Sequence, residues 1–119
     1  MKALLQRVTR AAVRIDGSTV GEVGPGLVIF VGVEQGDARE DATYLKDKIV
    51  NLRIFADQAD RFNLSALDTR AELLVVSQFT LLADTRKGRR PSFVKAAPPE
   101  VAEPMVEQFV ALLRETGLK

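Results

Sequence analysis

The chain has 119 residues, 46% of them apolar and 28% charged, with a formal net charge of +1. That suits one domain able to bury roughly two-thirds of the surface its unfolded chain would expose, and it excludes a whole-molecule polyelectrolyte. Cysteine and histidine are both absent, which excludes a disulfide framework, a thiolate nucleophile, sulfur metal ligands and the Ser-His-Asp and Cys-His mechanisms.

"KALLQRV" opens the chain with Ala3, Leu5 and Val8 alternating against polar neighbours, the pattern of a half-buried strand. "AVRI" and "STVGEV" flank Asp16-Gly17, a hairpin signal, because glycine accepts the positive φ of a tight turn. Gly24-Pro25-Gly26 is a second turn. After it "LVIFVGV" is apolar at every position and rich in β-branched residues, as a central strand covered on both faces should be. Asp37 and Glu40 then read as an N-cap and its reciprocal acid, opening an amphipathic helix over 38–51 with Ala42, Leu45, Ile49 and Leu52 at helical spacing. "LRIF" is predicted as a short strand, "DQAD" as a turn and "RFNLS" as another extended piece. "AELLVVS" is the second strongly apolar strand.

Residues 83–98 carry no period. A final helix is predicted from about Pro99, with Val101, Met105, Phe109, Leu112 and Leu113 on one side and Gly117 as its stop. Pro104 should either kink that helix or mark a later start. The expected fold is one α/β domain, a mixed twisted β-sheet or half-barrel with two α-helices on one face. No repeat, low-complexity tract or membrane-length apolar run is present. Arg7 and Arg10 interrupt the stretch where a signal peptide would be apolar, so a cytoplasmic location is expected.

Two features point to function. Arg86, Lys87, Arg89, Arg90 and Lys95 lie close together, and no acid falls between Asp84 and Glu100. Such a run is ordinarily a solvated loop, but a long irregular loop in a compact domain is more often functional than idle. Immediately before it stands Ser77-Gln78-Phe79-Thr80, where an apolar strand ends. Amides leaving a ladder there can stabilise a developing oxyanion, at about 3 kcal/mol per donor; the ordinary structural alternative is a strand end capped by hydroxyl residues with Phe79 packed inward. Thr80 adds a hydroxyl but has no visible base to make it a nucleophile. An oxyanion site beside basic side chains suits an ester carried on a phosphodiester chain, whose terminal base could stack on Phe93.

"LLQRVTRAAV", "GEVGPGLVIFVGV", "RIFAD", "LLVVSQFTL", "ADTRKGRRPSF" and "FVALLR" resemble, in order and over essentially the entire chain, the D-aminoacyl-tRNA deacylase family. The resemblance implies hydrolysis of the ester between a D-amino acid, or glycine, and the terminal adenosine of tRNA. It further implies that the amides at Gln78 and Phe79 contact the carbonyl, that the RNA 2′-hydroxyl assists, and that Ser77 and Thr80 complete the catalytic signature. It places substrate contacts at Arg7, Arg86, Lys87, Arg89, Arg90, Pro91, Ser92 and Phe93, on a homodimer needing no metal or other cofactor, with aminoacylated tRNA as partner and neither membrane nor DNA expected.

The family continues into further strands that carry a cis Gly-Pro pair, which enters the neighbouring subunit and excludes L-amino acids. This sequence ends at Lys119 before any such segment, so a domain lacking those strands is expected, and a truncated form should lose chiral discrimination and dimer strength. Gly24-Pro25 is not given that role. Arg7, which resembles the residue bracing that pair, could instead bond Glu34 or Asp84. The alternative function is a non-catalytic module that binds the tRNA acceptor end. A relative acting on L-alanyl-tRNA ranks lower, because the SQFT signature is intact.

Overall fold

The computed structural model describes residues 1–86 and 88–118. Its centre is a three-stranded sheet of β1 (Lys2–Val8), β4 (Gly26–Gly32) and β7 (Glu72–Ser77), in the order β1-β4-β7. β1 runs antiparallel to β4, and β7 runs parallel to it. The strand predicted to be covered on both faces is therefore the middle one. On one face Leu27, Ile29 and Val31 are fully buried, flanked in register by Ala3 and Leu5 from β1 and by Leu73 and Val75 from β7.

Two helices close that face: α1 (Arg39–Asn51), through Ala42, Ile49 and Val50, and α3 (Pro99–Arg114), through Phe109, Leu112 and Leu113. Phe109 has no exposed surface, and its burial contributes about 2–3 kcal/mol. Among the described residues no helix is long and apolar enough to cross a membrane.

The hairpin β2 (Ala11–Ile15) to β3 (Ser18–Val23) turns at Asp16 and Gly17, both with positive φ (50° and 81°), as the sequence predicts. At the next turn the backbones of β4 and β7 touch: a Cβ on Gly26 would lie 1.9 Å from the Glu72 carbonyl oxygen. Gly32, at the other end of β4, is also closely covered. A Cβ there would meet the Gln78 carbonyl oxygen at 3.1 Å and Leu81 Cβ at 3.4 Å.

Several local expectations need correction. The N-cap of α1 is Ala38, whose N–H donates to Asp41 Oδ2 at 2.8 Å, rather than Asp37 with Glu40. Asp37 is already engaged. It forms an ion pair with the Met1 ammonium at 2.7 Å and accepts the Glu34 N–H at 2.7 Å. Leu52 is the C-cap, and the strand expected from "LRIF" shrinks to β5 (Phe55–Ala56), paired with β6 (Phe62–Leu64). A one-turn helix, α2 (Ala66–Thr69), was not anticipated; Ser65 caps it by accepting the Asp68 N–H. Pro104 lies inside α3 and does not delay its start, which falls at Pro99. Pro104 and Glu100 are both exposed, so water can solvate the Glu100 carbonyl that lacks an i+4 donor.

Candidate active site

The site begins where β7 stops. Ser77 pairs opposite Val31, and the next amide, Gln78 N–H, still belongs to the ladder, donating to the Val31 carbonyl at 2.8 Å. Gln78 is extended (φ −147°, ψ 94°) and leads into a single 3₁₀ turn, Phe79–Leu82, closed by Leu81 N–H on the Gln78 carbonyl at 3.3 Å. The expectation that Gln78 and Phe79 would both present free amides thus holds for one of them. Parallel pairing with β4 reaches one residue beyond the apolar run and consumes the Gln78 donor. Among the described residues the Phe79 and Thr80 N–H groups have no backbone or side-chain acceptor, and the Ser77 N–H, which alternates away from β4 on an edge strand, has none either. Thr80 Oγ1 accepts from Gln78 Nε2 at 2.6 Å, which fixes both side chains.

Ser77 and Phe79, on either side of Gln78, border a cavity of about 690 Å³. Ser77 and Phe79 form one wall, Ala96 and Ala97 another, and the first turns of α3, including Ala102 and Val106, a third. Phe79 is 59% exposed, not packed inward as the structural alternative had it, and Phe93 meets its ring edge-on with centroids 5.0 Å apart.

The basic loop is pinned at two places. Asp84 and Ser92 exchange backbone hydrogen bonds of 2.7 and 2.8 Å, which closes the stretch between them. Further on, Gln35 N–H donates to the Lys95 carbonyl and Ala97 N–H to the Val33 carbonyl, both at 2.9 Å, so the Ala96-Ala97 wall is fixed to the end of β4. Arg89, Arg90 and Pro91 are exposed, whereas Ser92 and Phe93 are half-buried. Lys87 lies outside the described residues. Arg86 is not a free cation: its guanidinium grips Asp84 through two bonds of 3.0 and 2.8 Å. That grip, with the Arg86 N–H donating to the same carboxylate, holds Asp84 far below the usual carboxylate range.

Arg7 is not at this site within the chain. Antiparallel β1 sets Arg7 opposite Leu27, whereas Ser77 lies opposite Val31. Four residue pairs separate them, roughly 13 Å along the sheet. The Arg7 guanidinium stacks over the Phe62 ring, 4.6 Å from its centroid, and bonds neither Glu34 nor Asp84. Sequence reasoning also missed Ala96, Ala97, Ala102 and Val106 as cavity walls. Small residues before Pro98-Pro99, where a helix begins close to a strand end, were the available signal.

The architecture is a mixed α/β domain with an apolar-walled cavity at the end of a parallel strand pair, bordered by the segment that carries Ala96 and Ala97. A profile of the family described as D-Tyr-tRNA(Tyr) deacylase matches residues 4–119, and the chain belongs to that family. It is similar to a D-aminoacyl-tRNA deacylase of Dehalococcoides mccartyi strain CBDB1, 60% identical over 117 residues, covering 98% of this chain and 76% of that protein. The enzyme of the same name from Carboxydothermus hydrogenoformans is 55% identical over 115 residues, covering 97% and 79%. Among solved structures, one titled c-Myc DNA Unwinding Element Binding Protein has a TM-score of 0.92 at 38% identity and covers 98% of this chain and 78% of that one. A probable eukaryotic D-amino acid tRNA deacylase shares the fold, with a TM-score of 0.83 at 16% identity, covering 96% of this chain and 67% of that one.

Proposed function

We propose that the protein hydrolyses the ester that joins a D-amino acid, or glycine, to the terminal adenosine of tRNA, removing mischarged residues as a proofreading step in translation. Family membership supports the reaction. The observation that carries the mechanism is the pair of unengaged amides at Phe79 and Thr80 beside a nucleoside-sized cavity. The ester carbonyl lies against these donors, which stabilise the oxyanion formed as water adds. The neighbouring 2′-hydroxyl of the RNA relays the proton, taking one from the attacking water as it passes its own to the departing 3′-oxygen. This accounts for chemistry without histidine or cysteine, and no cofactor takes part. The base occupies the cavity against Phe79, and Arg89 and Arg90, with Lys87, meet the acceptor-end phosphates.

The protein works as a cytoplasmic homodimer in this reading. Arg7 then serves across the subunit boundary, since within one chain it is remote from Phe79. The direct test is release of amino acid from D- and L-charged tRNA: faster loss of the D-ester than in buffer supports the proposal, and equal, uncatalysed loss of both refutes it. The second reading, binding without hydrolysis, is favoured by the engagement of Gln78 N–H, which removes one expected donor. It gives salt-sensitive RNA affinity with no product.

A further inference from the structure

The cavity beside Phe79 has a feature that phosphate binding does not explain. Along α3, Ala102 and Val106 face it as half-buried walls, and the next residues around the helix, Glu103 and Glu107, also line it but remain exposed. The glutamates are four apart and share one helical face. Two carboxylates therefore stand at the rim of a site whose neighbouring loop carries Arg89, Arg90 and Lys95. Among the described residues neither is held in an ion pair. An ionised carboxylate only accepts hydrogen bonds and repels phosphate, so whatever part of the substrate lies against this rim must present a donor. The apolar walls are Phe79, Ala96, Ala97, Pro99, Ala102 and Val106, against which a planar ring can lie.

We propose that Glu103 and Glu107 are specificity-determining residues that accept a hydrogen bond from the exocyclic amine of the terminal base. They select a 6-amino edge and reject a 6-keto edge, whose oxygen would face like charge. This rests on the ester-hydrolysis reading above and deepens it, assigning to α3 the recognition of the base while the 3₁₀ turn handles the ester. Carboxylates pair with base amino groups elsewhere in nucleic-acid recognition on the same principle.

The test is calorimetric binding of three non-hydrolysable probes: 3′-(D-alanylamino)-3′-deoxyadenosine, its purine counterpart lacking the 6-amine, and its inosine counterpart. The native protein should bind the adenosine probe ~10- to 100-fold more tightly than the purine probe. In the E103A/E107A double variant that ratio should fall to near unity, and Glu103→Gln or Glu107→Gln should shift preference toward the 6-keto probe, because the amide can donate. General electrostatics alone weakens all three probes alike, since each carries the same α-ammonium and no phosphate, and leaves their ratio unchanged. A native ratio near unity, a ratio unchanged in the double variant, or no binding of any probe overturns the proposal. So does a double variant that keeps the base preference but stops distinguishing a free α-amine from an N-acetylated probe, since the carboxylates would then face the ammonium. Hydrolysis of D-alanyl-tRNA is followed in parallel: glutamate-dependent base preference without turnover would refute the esterase reading and leave this one standing.

Discussion

Gln78 is bonded to Val31, its N–H donating to the Val31 carbonyl at 2.8 Å. That bond takes the Gln78 amide out of the set available for chemistry and leaves Phe79 and Thr80 as the free donors beyond the strand. The turn that follows inherits its orientation from the buried central strand, and the predictions about catalysis rest on this geometry.

Phe79→Pro deletes the free N–H while suiting its position. Gln78 is extended, as a residue before proline should be, and Phe79 is the first residue of the turn. Single-turnover deacylation should slow by about 10²–10³-fold. Phe79→Ala keeps the amide, so its effect should fall on KM through lost stacking. Equal rates for the two variants would show that the amide has no catalytic part.

Thr80→Ala should retain turnover to within about tenfold, since general-base activation of a nucleophile supplies 10²–10⁴-fold and nothing here supplies it. Among the described residues, Thr80 Oγ1 has a donor, Gln78 Nε2, and no carboxylate to take its proton. An acyl-enzyme trapped on Thr80 and seen by mass spectrometry would contradict this.

Arg89→Ala and Arg90→Ala should each weaken tRNA binding and reduce the slope of log affinity against log salt by roughly 0.7–0.9. Arg86→Ala should behave differently. It leaves the Asp84 carboxylate beside the RNA without its partner, so its loss of affinity should exceed either of the others. Filter binding across a salt series separates the three.

Acid should test the Arg86–Asp84 clasp. Folding lowers the Asp84 pKa, first through the Arg86 side chain. The clasp therefore contributes fully above the unfolded value, about 3.9, and is lost only as pH falls through the lower folded value. Carboxyl NMR should show Asp84 titrating well below the ordinary aspartate range, and the Arg86→Ala variant should bring it back toward that range.

Gly26→Ala should destabilise the protein by roughly 3 kcal/mol, at the upper end for overpacking, because its Cβ would collide with backbone at Glu72. Gly21→Ala meets Leu74 Cδ1 at 2.9 Å, the end of a side chain that can rotate, and should cost about 1 kcal/mol or less. Urea midpoints compare the two directly.

Periodicity and turn chemistry made much of this fold legible. The unbroken apolar run at 27–33 could only be a covered strand, and Asp16-Gly17 could only be a tight turn. The stripe ending in Phe109, Leu112 and Leu113 marked the last helix. What failed depended on partners distant in sequence. Asp37 looked like a cap but is recruited by the Met1 ammonium. The Gln78 amide looked free because parallel register is not written in either strand alone. The Phe62 ring beneath Arg7 is likewise a partner that neither residue announces alone. Ser65-x-x-Asp68 did announce the one-turn helix and was passed over, as its apolar content is too short to show a period. The strand end at Ser77 and the irregular loop were legible as features; the alanine walls of the cavity beside them, which have no chemistry of their own, were not.

Gly32 leaves no side chain between the central strand and the 3₁₀ turn, so the turn is seated on bare backbone. The turn that carries Phe79 and Thr80 is thereby held directly against the central strand, so under the proposed reaction its donors are in place before charge appears on the ester. Heating should consequently leave catalytic geometry intact until the whole domain melts, with activity and tertiary structure disappearing in one transition.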